Sequence, residues 1–443
     1  MAGSVAMAQG ATVPEGTASQ GTTVSQGTAS QGTTVSQGTA SQGTTDGEGT
    51  ADREGAAARG GAVPETAGQP APAGVAGLRT VGVEEEFLLV DPETGQGVPA
   101  VDRVFEHVPD DLRGQVQHEF QTSQIEIGSP PGLELGALRH SLGLLRAGLA
   151  GAADAAGVRL VAVGAGLVDG PIPPVFDNPR FHRMVEQFGP LVDGPGNNGM
   201  HVHVGIPDPE TGVQVLNHLR PWLPILHAVT TNSPFHNGQD TGYASWRSVL
   251  WERWPSVAPT PWLESYAHYQ WLVDQLVATG MLLDEGMVYW YARLSAHYPT
   301  VEIRIGDVCP SLDDTILVAG LVRSLVGTAL TDIEQGREPI RIDHHLLTAA
   351  HWRAAHDGLD GLAVDPVRGG TLPAWQLLDR LVEKVTPELE RHGDLSEISD
   401  LLDRLRKEGT GATRQRAAYA RRGELSDVVA DLARQTRGDA FER

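Results

Sequence analysis

The first 77 residues contain no leucine, isoleucine, phenylalanine, tyrosine or tryptophan, and this absence confines any folded core to the chain from Leu78 onward. An eleven-residue unit of Gly, Thr, Ala, Ser, Gln and Val starts at Gly16, again at Gly27 and a third time at Gly38. A segment so poor in large apolar side chains cannot offset the entropy lost when its backbone is ordered. We therefore predict a disordered, repetitive tail at 1–77 and one folded domain at 78–443.

The charge and cysteine content exclude several classes of protein. The chain carries 56 acidic and 33 basic residues, a formal net charge of -23, which argues against nucleic acid and anionic membranes as partners. Cys309 is the only cysteine, so an intrachain disulfide and a cysteine-based zinc site are both excluded. The N-terminus lacks the features of a signal peptide, and no run of about 18 apolar residues is evident. We therefore expect a cytoplasmic protein.

Short apolar strands separated by longer helical stretches predict a mixed fold in which helices pack on a sheet. We predict strands at about 79–90, 117–127, 159–164, 200–206 and 300–305. We predict helices at about 133–151, 213–231 and 262–280, and a further helix that begins near Asp313 and Asp314. The pattern does not decide whether the sheet is parallel or antiparallel.

The first predicted strand carries two glutamates on one face. Successive side chains of a strand point to opposite faces, so Glu84 and Glu86 share a face and Glu85 lies on the other. A solvated edge strand would explain this pair, but the flanking residues are apolar, and a buried carboxylate pair requires a cation. Because Glu85 points away from that pair, we expect Glu85→Gln to have only a mild effect on activity.

The second predicted strand carries Glu119 and Glu126. In one regular strand these two residues would lie on opposite faces, so a shared site would need a bulge or a bend. Taken alone, each is more typical of a surface glutamate than of a ligand.

Two later strands add imidazoles and a Glu–Arg pair. His201 and His203 share one face, a spacing that suits a metal or phosphate site as well as a hydrogen-bonded core. Glu302 and Arg304 also share a face, as in a salt bridge or as in a metal ligand beside an anion-binding guanidinium. Oxygen ligands outnumber imidazoles, which favours magnesium or manganese over zinc. The chain has no P-loop sequence, so a nucleotide would be bound through metal ions and arginines.

These four segments, in this order, resemble the glutamate–cysteine ligase superfamily, and most closely its type 2 branch of carboxylate–amine ligases. The matching motifs are Gly82-Val83-Glu84-Glu85-Glu86-Phe87, Ser123-Gln124-Ile125-Glu126 followed by Pro130-Pro131, Gly199-Met200-His201-Val202-His203, and Glu302-Ile303-Arg304 through Asp307-Val308. The resemblance implies an α+β, glutamine-synthetase-like fold, with a curved, largely antiparallel sheet that is lined with metal-binding glutamates and packed by helices. It also implies that residues 78–443 form a catalytic carboxylate–amine ligase domain.

The resemblance also implies roles for individual residues. The magnesium or manganese ligands would be Glu84, Glu86, Glu119, Glu126, His201 and Glu302. Arg304 would be catalytic and would contact substrate carboxylate or phosphate, while Arg247 and His203 would help to bind substrate. A segment at 409–423, with Arg414, Gln415 and Arg416, is also similar to the family, but the sequence assigns it no role.

The implied reaction is ATP-dependent formation of a carbon–nitrogen amide bond, of the glutamate–cysteine ligase type. ATP would phosphorylate the γ-carboxylate of L-glutamate, and an amine such as L-cysteine would attack the acyl phosphate to give γ-glutamylcysteine. The partners would be these small molecules alone. The sequence does not name the acceptor amine, and it does not decide between a monomer and a homo-oligomer.

Two other functions stay open from the residues. A zinc-dependent hydrolase of the amidohydrolase type would use His201 and His203, although that class needs further His and Asp ligands where this chain offers Glu302 and Arg304. A non-catalytic relative that binds ATP or an amino acid would keep the same fold. Metal analysis discriminates the first alternative, because a zinc hydrolase holds stoichiometric zinc and a ligase binds magnesium weakly.

The tail generates a first prediction. A variant that begins at Gly77 should keep the melting temperature and the catalytic turnover of the full chain, because residues 1–76 lack the apolar side chains needed to join a core. Thermal melting and an activity assay on both proteins test this. A loss of either property would show that the tail docks on the folded domain.

Overall fold

The computed structural model describes residues 77–194 and 196–438. The predicted tail lies outside the described residues except for Gly77, and its disorder stays a prediction. Within the described ranges, helices surround a seven-stranded sheet.

The strands are β1 (Val81–Val90), β2 (Val116–His118), β3 (Gln124–Gly128), β4 (Arg159–Val161), β5 (Met200–Gly205), β6 (Phe235–His236), β7 (Gln239–Asp240), β8 (Ala292–Leu294), β9 (Thr300–Ile303), β10 (Leu362–Val364) and β11 (Thr371–Pro373).

The α-helices are α1 (Val101–His107), α2 (Leu135–Ala155), α3 (Pro179–Phe188), α4 (Pro209–Leu219), α5 (Leu223–Val229), α6 (Trp246–Trp251), α7 (Tyr266–Ala278), α8 (Leu312–Glu334), α9 (His344–Asp357), α10 (Ala374–His392), α11 (Leu395–Glu408), α12 (Gly411–Tyr419) and α13 (Leu425–Arg437). Short 3₁₀ turns occupy Arg113–Gln115, Gly189–Val192 and Glu285–Met287.

The main sheet has the strand order β2-β3-β1-β5-β9-β8, and β4 pairs with the end of β1. All of these pairs are antiparallel. The strands β6 and β7 form one separate hairpin, and β10 and β11 form another. The antiparallel sheet packed by helices that the family resemblance implied is therefore confirmed.

The prediction of a single strand at 117–127 is wrong. The chain turns at 119–123, so β2 and β3 are antiparallel neighbours, and Gln117 pairs with Glu126. Glu119 extends the face of Gln117, because alternate side chains of an extended chain share a face. Glu119 and Glu126 therefore reach one face through a hairpin, without the bulge that the single-strand prediction required.

The predicted helix boundaries are partly confirmed. The stretch predicted as one helix at 213–231 is two helices, because the chain breaks at Pro221 and Pro224 occupies the first turn of α5. The helix predicted near Asp313 begins at Leu312, where Ser311 and Asp314 form a reciprocal capping box.

Helix α8 is more apolar than the sequence analysis expected. One 18-residue window of this helix has a mean hydropathy of 1.6, so its length and composition are sufficient to span a membrane. Within the protein, 83% of that window is buried, and the helix packs against α2, α4, α10 and α11. We therefore interpret α8 as the central helix of the core.

The side chain of Glu85 lies on the helix-covered face of β1, as the alternation predicted. It is fully buried and accepts two hydrogen bonds from Arg146 of α2, at 2.8 Å from Nε and 2.5 Å from Nη2. Thr315 of α8 donates a third hydrogen bond, of 2.6 Å. One buried carboxylate therefore connects the first strand to the two long helices that cover the sheet.

This ion pair changes the expectation for Glu85→Gln. The variant leaves the fully buried Arg146 without its counter-ion, so we expect a loss of about 3 kcal/mol of unfolding free energy, as for other broken buried pairs. Urea denaturation measures the loss. The double variant Glu85→Leu, Arg146→Met should recover most of it, because both charges are then removed. If Glu85→Gln is as stable as the parent protein, the pair does not anchor the helices.

Candidate active site

The other face of the sheet collects the predicted ligands from neighbouring strands. The cross-strand partners on this face are ionisable in three pairs: Glu86–Glu126, Glu84–His201 and Glu302–His203. Arg293 of β8 lies beside Glu302. The alternation of side chains in five antiparallel strands thus concentrates acidic, imidazole and guanidinium groups on one surface.

His201 lies at the centre of this acidic surface. Its Nδ1 is 3.1 Å from Glu84 Oε2 and 4.0 Å from Glu302 Oε1, and its Nε2 is 3.7 Å from Glu86 Oε1. Among the residues that the structure describes, His201 Nε2 is buried and has no hydrogen-bond partner. A buried ring nitrogen without a partner is a coordination position that a cation can fill.

Glu302 is neutralised by two arginines. Its carboxylate accepts a 2.8 Å hydrogen bond from Arg293 Nε and a 2.9 Å hydrogen bond from Arg304 Nη1. Burial alone would raise the pKa of Glu302, but the charges of Arg293 and Arg304 outweigh it and lower the pKa to about 2. The salt bridge that the sequence analysis left open is therefore present, and Glu302 is a carboxylate at neutral pH.

The sequence analysis missed Arg293. It lies on the short strand β8, in the middle of Ala292-Arg293-Leu294, and its largely buried side chain donates to Glu302 and to the carbonyl of Gly286. Alternation of a charged residue between two apolar ones was the available signal. Three residues are too short a run for that signal to be separated from a loop.

In the described part of the chain, the other carboxylates of this face form no salt bridge with an arginine. Burial raises the pKa of Glu126 well above its usual value, and the charges of Glu84, Glu119 and Glu86 raise it further. Burial and the charge of Glu86 raise the pKa of Glu119 to about 7. Burial would also raise the pKa of Glu84, but hydrogen bonds from His201 and His203 hold it well below its usual value.

These groups fit a divalent cation. Glu84, Glu126 and His201 each offer a ligand atom, and those atoms lie within 4.8 Å of one another. The raised pKa values mark an excess of negative charge that a bound cation would relieve. Carboxylate oxygens outnumber the imidazole nitrogen, which suits magnesium or manganese.

His203 takes a different environment from His201. Its Nδ1 is 3.0 Å from the Thr300 hydroxyl, and its Nε2 is 3.5 Å from Glu84. The ligand group found in the described part of the chain combines one imidazole with two carboxylates and does not include His203. A zinc site built on both imidazoles therefore has no support from the geometry.

A cavity of about 140 Å³ opens beside the acidic surface at the start of β5. Its lining includes Glu86, Glu119 and His201 as well as Arg304 and Arg247. The other lining residues include Arg180, Trp251, Trp254 and Tyr289. A cavity lined by both carboxylates and guanidinium groups can hold a cation and an anionic substrate together.

Trp251 orients the two arginines of this cavity. The guanidinium carbon of Arg247 is 4.8 Å from the centre of its ring, and that of Arg304 is 5.8 Å away. Arg247 also passes close to Gly199, where an added Cβ would overlap its Nη2. Within 77–194 and 196–438, Nε of both arginines is buried without a hydrogen-bond partner, so each retains a donor for a ligand.

A second cavity, of about 210 Å³, lies at the other end of β5. Tyr266, Tyr269 and Tyr298 line it together with Pro207, Pro209 and Pro299. Thr300, which contacts His203, also belongs to its wall, so this cavity adjoins the acidic surface. Its lining of tyrosines and prolines, which also includes Asp208 and Glu285, contrasts with the arginines of the first cavity.

The amino-acid sequence matches one family over most of its length. Residues 80–431 match the model described as glutamate-cysteine ligase family 2 (GCS2). A putative glutamate–cysteine ligase 2 of Salinispora arenicola is 54% identical over 359 residues, which are 81% of this chain and 95% of the relative. A putative glutamate–cysteine ligase 2-1 of Saccharopolyspora erythraea is 47% identical over 359 residues, 81% of this chain and 94% of that relative.

Two solved structures share the fold. A bifunctional glutathione synthetase from Pasteurella multocida matches with a TM-score of 0.61 and 17% identity, over 83% of this chain and about half (53%) of that protein. A glutamate–cysteine ligase from Francisella tularensis, in complex with AMP, matches with a TM-score of 0.60 and 13% identity, over 81% of this chain and 88% of that one. At these identities the likeness concerns the fold alone.

The raised pKa of Glu119 predicts how metal-free protein responds to pH. The folded state keeps a proton on this carboxyl between its usual pKa of 4.5 and about 7, whereas the unfolded state has lost it. Folding stability from this group is therefore highest below pH 4.5 and falls as pH rises towards 7. In EDTA, the melting temperature of the parent should fall between pH 5 and pH 7.5 relative to that of Glu119→Gln.

Magnesium should remove most of this difference at pH 7.5, because the cation replaces the proton. Thermal melting of both proteins over this pH range, with EDTA and with magnesium, gives four curves of melting temperature against pH. The same pH dependence in the parent and in Glu119→Gln would show that Glu119 is not held in this charged environment.

Proposed function

This chain belongs to glutamate–cysteine ligase family 2, a family of carboxylate–amine ligases that form an amide bond, and we propose that it joins L-glutamate to an amine such as L-cysteine with consumption of ATP. The product would be γ-glutamylcysteine, formed through a γ-glutamyl phosphate. The observation that carries this proposal is the cavity that Glu86, Glu119 and His201 line together with Arg304 and Arg247. Transfer of a phosphoryl group needs these two kinds of charge next to each other.

Magnesium or manganese would be held by the carboxylates and the imidazole of the acidic surface, namely Glu84, Glu86, Glu119, Glu126, His201 and Glu302. When bound, the cation neutralises charge on the transferring phosphoryl group. The closely spaced ligand atoms of Glu84, Glu126 and His201 support this assignment.

Arg304 would stabilise the phosphoryl group during transfer. Its Nη1 is occupied by Glu302, which fixes the plane of the guanidinium, and its buried Nε has no partner in the described chain. A pre-oriented donor of this kind acts most strongly where water is excluded. Arg304 is only 7% exposed, so water is largely excluded there.

Arg247 would bind the carboxylate of the amino-acid substrate. It is buried in the same cavity wall, and its guanidinium carbon lies 4.8 Å from the centre of the Trp251 ring. A planar guanidinium binds a carboxylate through two parallel hydrogen bonds, which sets the direction of the substrate as well as its affinity.

The base of the nucleotide would occupy the tyrosine-lined cavity. Aromatic and proline walls suit a flat heterocycle, and a strand of six residues, about 20 Å long, separates the two cavities along the acidic surface. The triphosphate would then run past His203 towards Arg304. We propose a cytoplasmic location as well, because ATP is supplied there.

An assay of ATP consumption over pairs of amino acids tests the proposal. Phosphate release should require both L-glutamate and an amine, EDTA should abolish it, and magnesium or manganese should restore it. Stoichiometric zinc with hydrolysis of an amide would favour the hydrolase instead. Binding of ATP or glutamate without turnover under every pair would identify a non-catalytic relative.

Arg304→Lys separates catalysis from structure. Lysine keeps the charge beside Glu302 but cannot donate in a two-pronged way, so turnover should fall on the order of 10²-fold or more while the fold persists. Melting temperature and ATP-dependent product formation are measured on one preparation. Arg293→Lys is the matched control, because Arg293 pairs with the same carboxylate and does not line the cavity. A destabilised but fully active Arg304→Lys protein would contradict the catalytic role.

A further inference from the structure

The segment at 409–423, to which the sequence assigned no role, is connected to the substrate cavity by buried hydrogen bonds. We propose that Gln415, on α12, is a positioning residue that holds Arg247 in the orientation that binds the carboxylate of the amino-acid substrate. The inference rests on the proposed role of Arg247. Gln415 itself does not line the cavity and acts through three intervening residues.

The first link joins α12 to the loop between α5 and α6. Gln415 is 1% exposed, and its Nε2 donates to the backbone oxygen of Asn232 at 2.9 Å and to its side-chain oxygen at 2.7 Å. Gly411, at the start of α12, packs so closely on Asn232 that a Cβ would overlap the side-chain oxygen. The helix and the loop are therefore in direct contact, with both acceptors of Asn232 used.

The second link joins Asn232 to Asp307. The backbone N–H of Asn232 donates to Asp307 Oδ2 at 2.9 Å, and its side-chain amide donates to the carbonyls of Ala162 and Val308. Both Asn232 and Asp307 are fully buried. Asn232 therefore connects Gln415 to Asp307 through hydrogen bonds that are all buried, and such networks act as a unit.

The third link joins Asp307 to α6, the helix that carries Arg247. Ser233 donates to Asp307 Oδ2 at 2.7 Å and accepts the backbone N–H of Arg247 at 3.0 Å. Ser245, the N-cap residue of α6, donates to Asp307 Oδ1 at 2.8 Å. Asp307 thus sets the start of α6 through both of its oxygens.

The guanidinium of Arg247 depends on this support. Its Nη1 donates to the Ile305 carbonyl at 3.2 Å and lies 4.0 Å from Asp307 Oδ1. In the part of the chain that the structure describes, its Nε has no partner. With few bonds of its own, the head group takes its orientation from the backbone of α6, from Trp251 and from the charge of Asp307.

A purely structural role for α12 would rest on its ion pairs instead. Arg414 pairs with Asp314 at the start of α8, away from the hydrogen bonds that join Gln415, Asn232 and Asp307. Arg414→Gln therefore weakens the docking of α12 without touching Asn232. Gln415→Met removes the amide donor while it keeps the length of the side chain, so the two variants form a matched pair.

The experiment measures the dissociation constant for L-glutamate by calorimetry, the KM for ATP and the melting temperature of the full chain. Gln415→Met should weaken glutamate binding about 10-fold or more, because a displaced guanidinium loses its paired hydrogen bonds, and it should leave the KM for ATP unchanged. Arg414→Gln should lower the melting temperature and leave glutamate affinity unchanged. The double variant Gln415→Met, Arg247→Lys should bind no more weakly than Arg247→Lys alone, because both changes act on one contact.

A second readout does not depend on the substrate. The Nε–H signal of Arg247 in ¹⁵N NMR is identified by its loss in Arg247→Lys, and it should shift in Gln415→Met and stay in place in Arg414→Gln. If the parent fails to bind glutamate while this signal shifts, the proposed function fails and the positioning role stands. An unshifted signal overturns the positioning role, and so does glutamate binding in Gln415→Met that equals the binding of a parent protein able to bind glutamate.

Discussion

The placement of three consecutive glutamates on β1 determines the charge of both faces of the sheet. Alternation sends Glu85 into the core and Glu84 and Glu86 to the other side, so neither face can be made of apolar residues alone. On the core face, Arg146 of α2 neutralises Glu85. Thr315 of α8 donates to the same carboxylate, so both helices are bonded to the strand. A fixed ion pair suits this face, because it must stay dry.

On the opposite face, the charge of the carboxylates is only partly neutralised. Arg293 and Arg304 neutralise Glu302 at one edge, and two imidazoles support Glu84 in the middle. Burial and the charges of neighbouring carboxylates raise the pKa values of Glu119 and Glu126, which come from the hairpin of β2 and β3. Negative charge is balanced at Glu302 and unbalanced at Glu119 and Glu126. We expect a positive ligand to bind where it is unbalanced, and a negative ligand to bind beside Arg247 and Arg304.

The local part of this arrangement could be predicted from the sequence. Alternation separated Glu85 from Glu84 and Glu86, and placed His201 with His203 and Glu302 with Arg304 on shared faces. The hairpin at 119–123 was missed because Phe120, Gln121, Thr122 and Ser123 contain neither glycine nor proline. The hydrogen-bond partners of Asp307 are Asn232, Ser233 and Ser245, which lie far from it along the chain, so no spacing in the sequence could indicate them. Nor does the sequence indicate that Arg247 and Arg304 both lie over Trp251, since Arg304 is distant from α6 along the chain.

The apolar character of α8 has a consequence for the synthesis of this protein. The helix is complete about 70 residues before α11, one of the helices that cover it, has left the ribosome. At roughly 5–20 residues per second of synthesis, this apolar helix stays incompletely covered on the nascent chain for several seconds. A holdase or trigger-type chaperone that engages nascent chains would meet its preferred kind of surface at this point in translation.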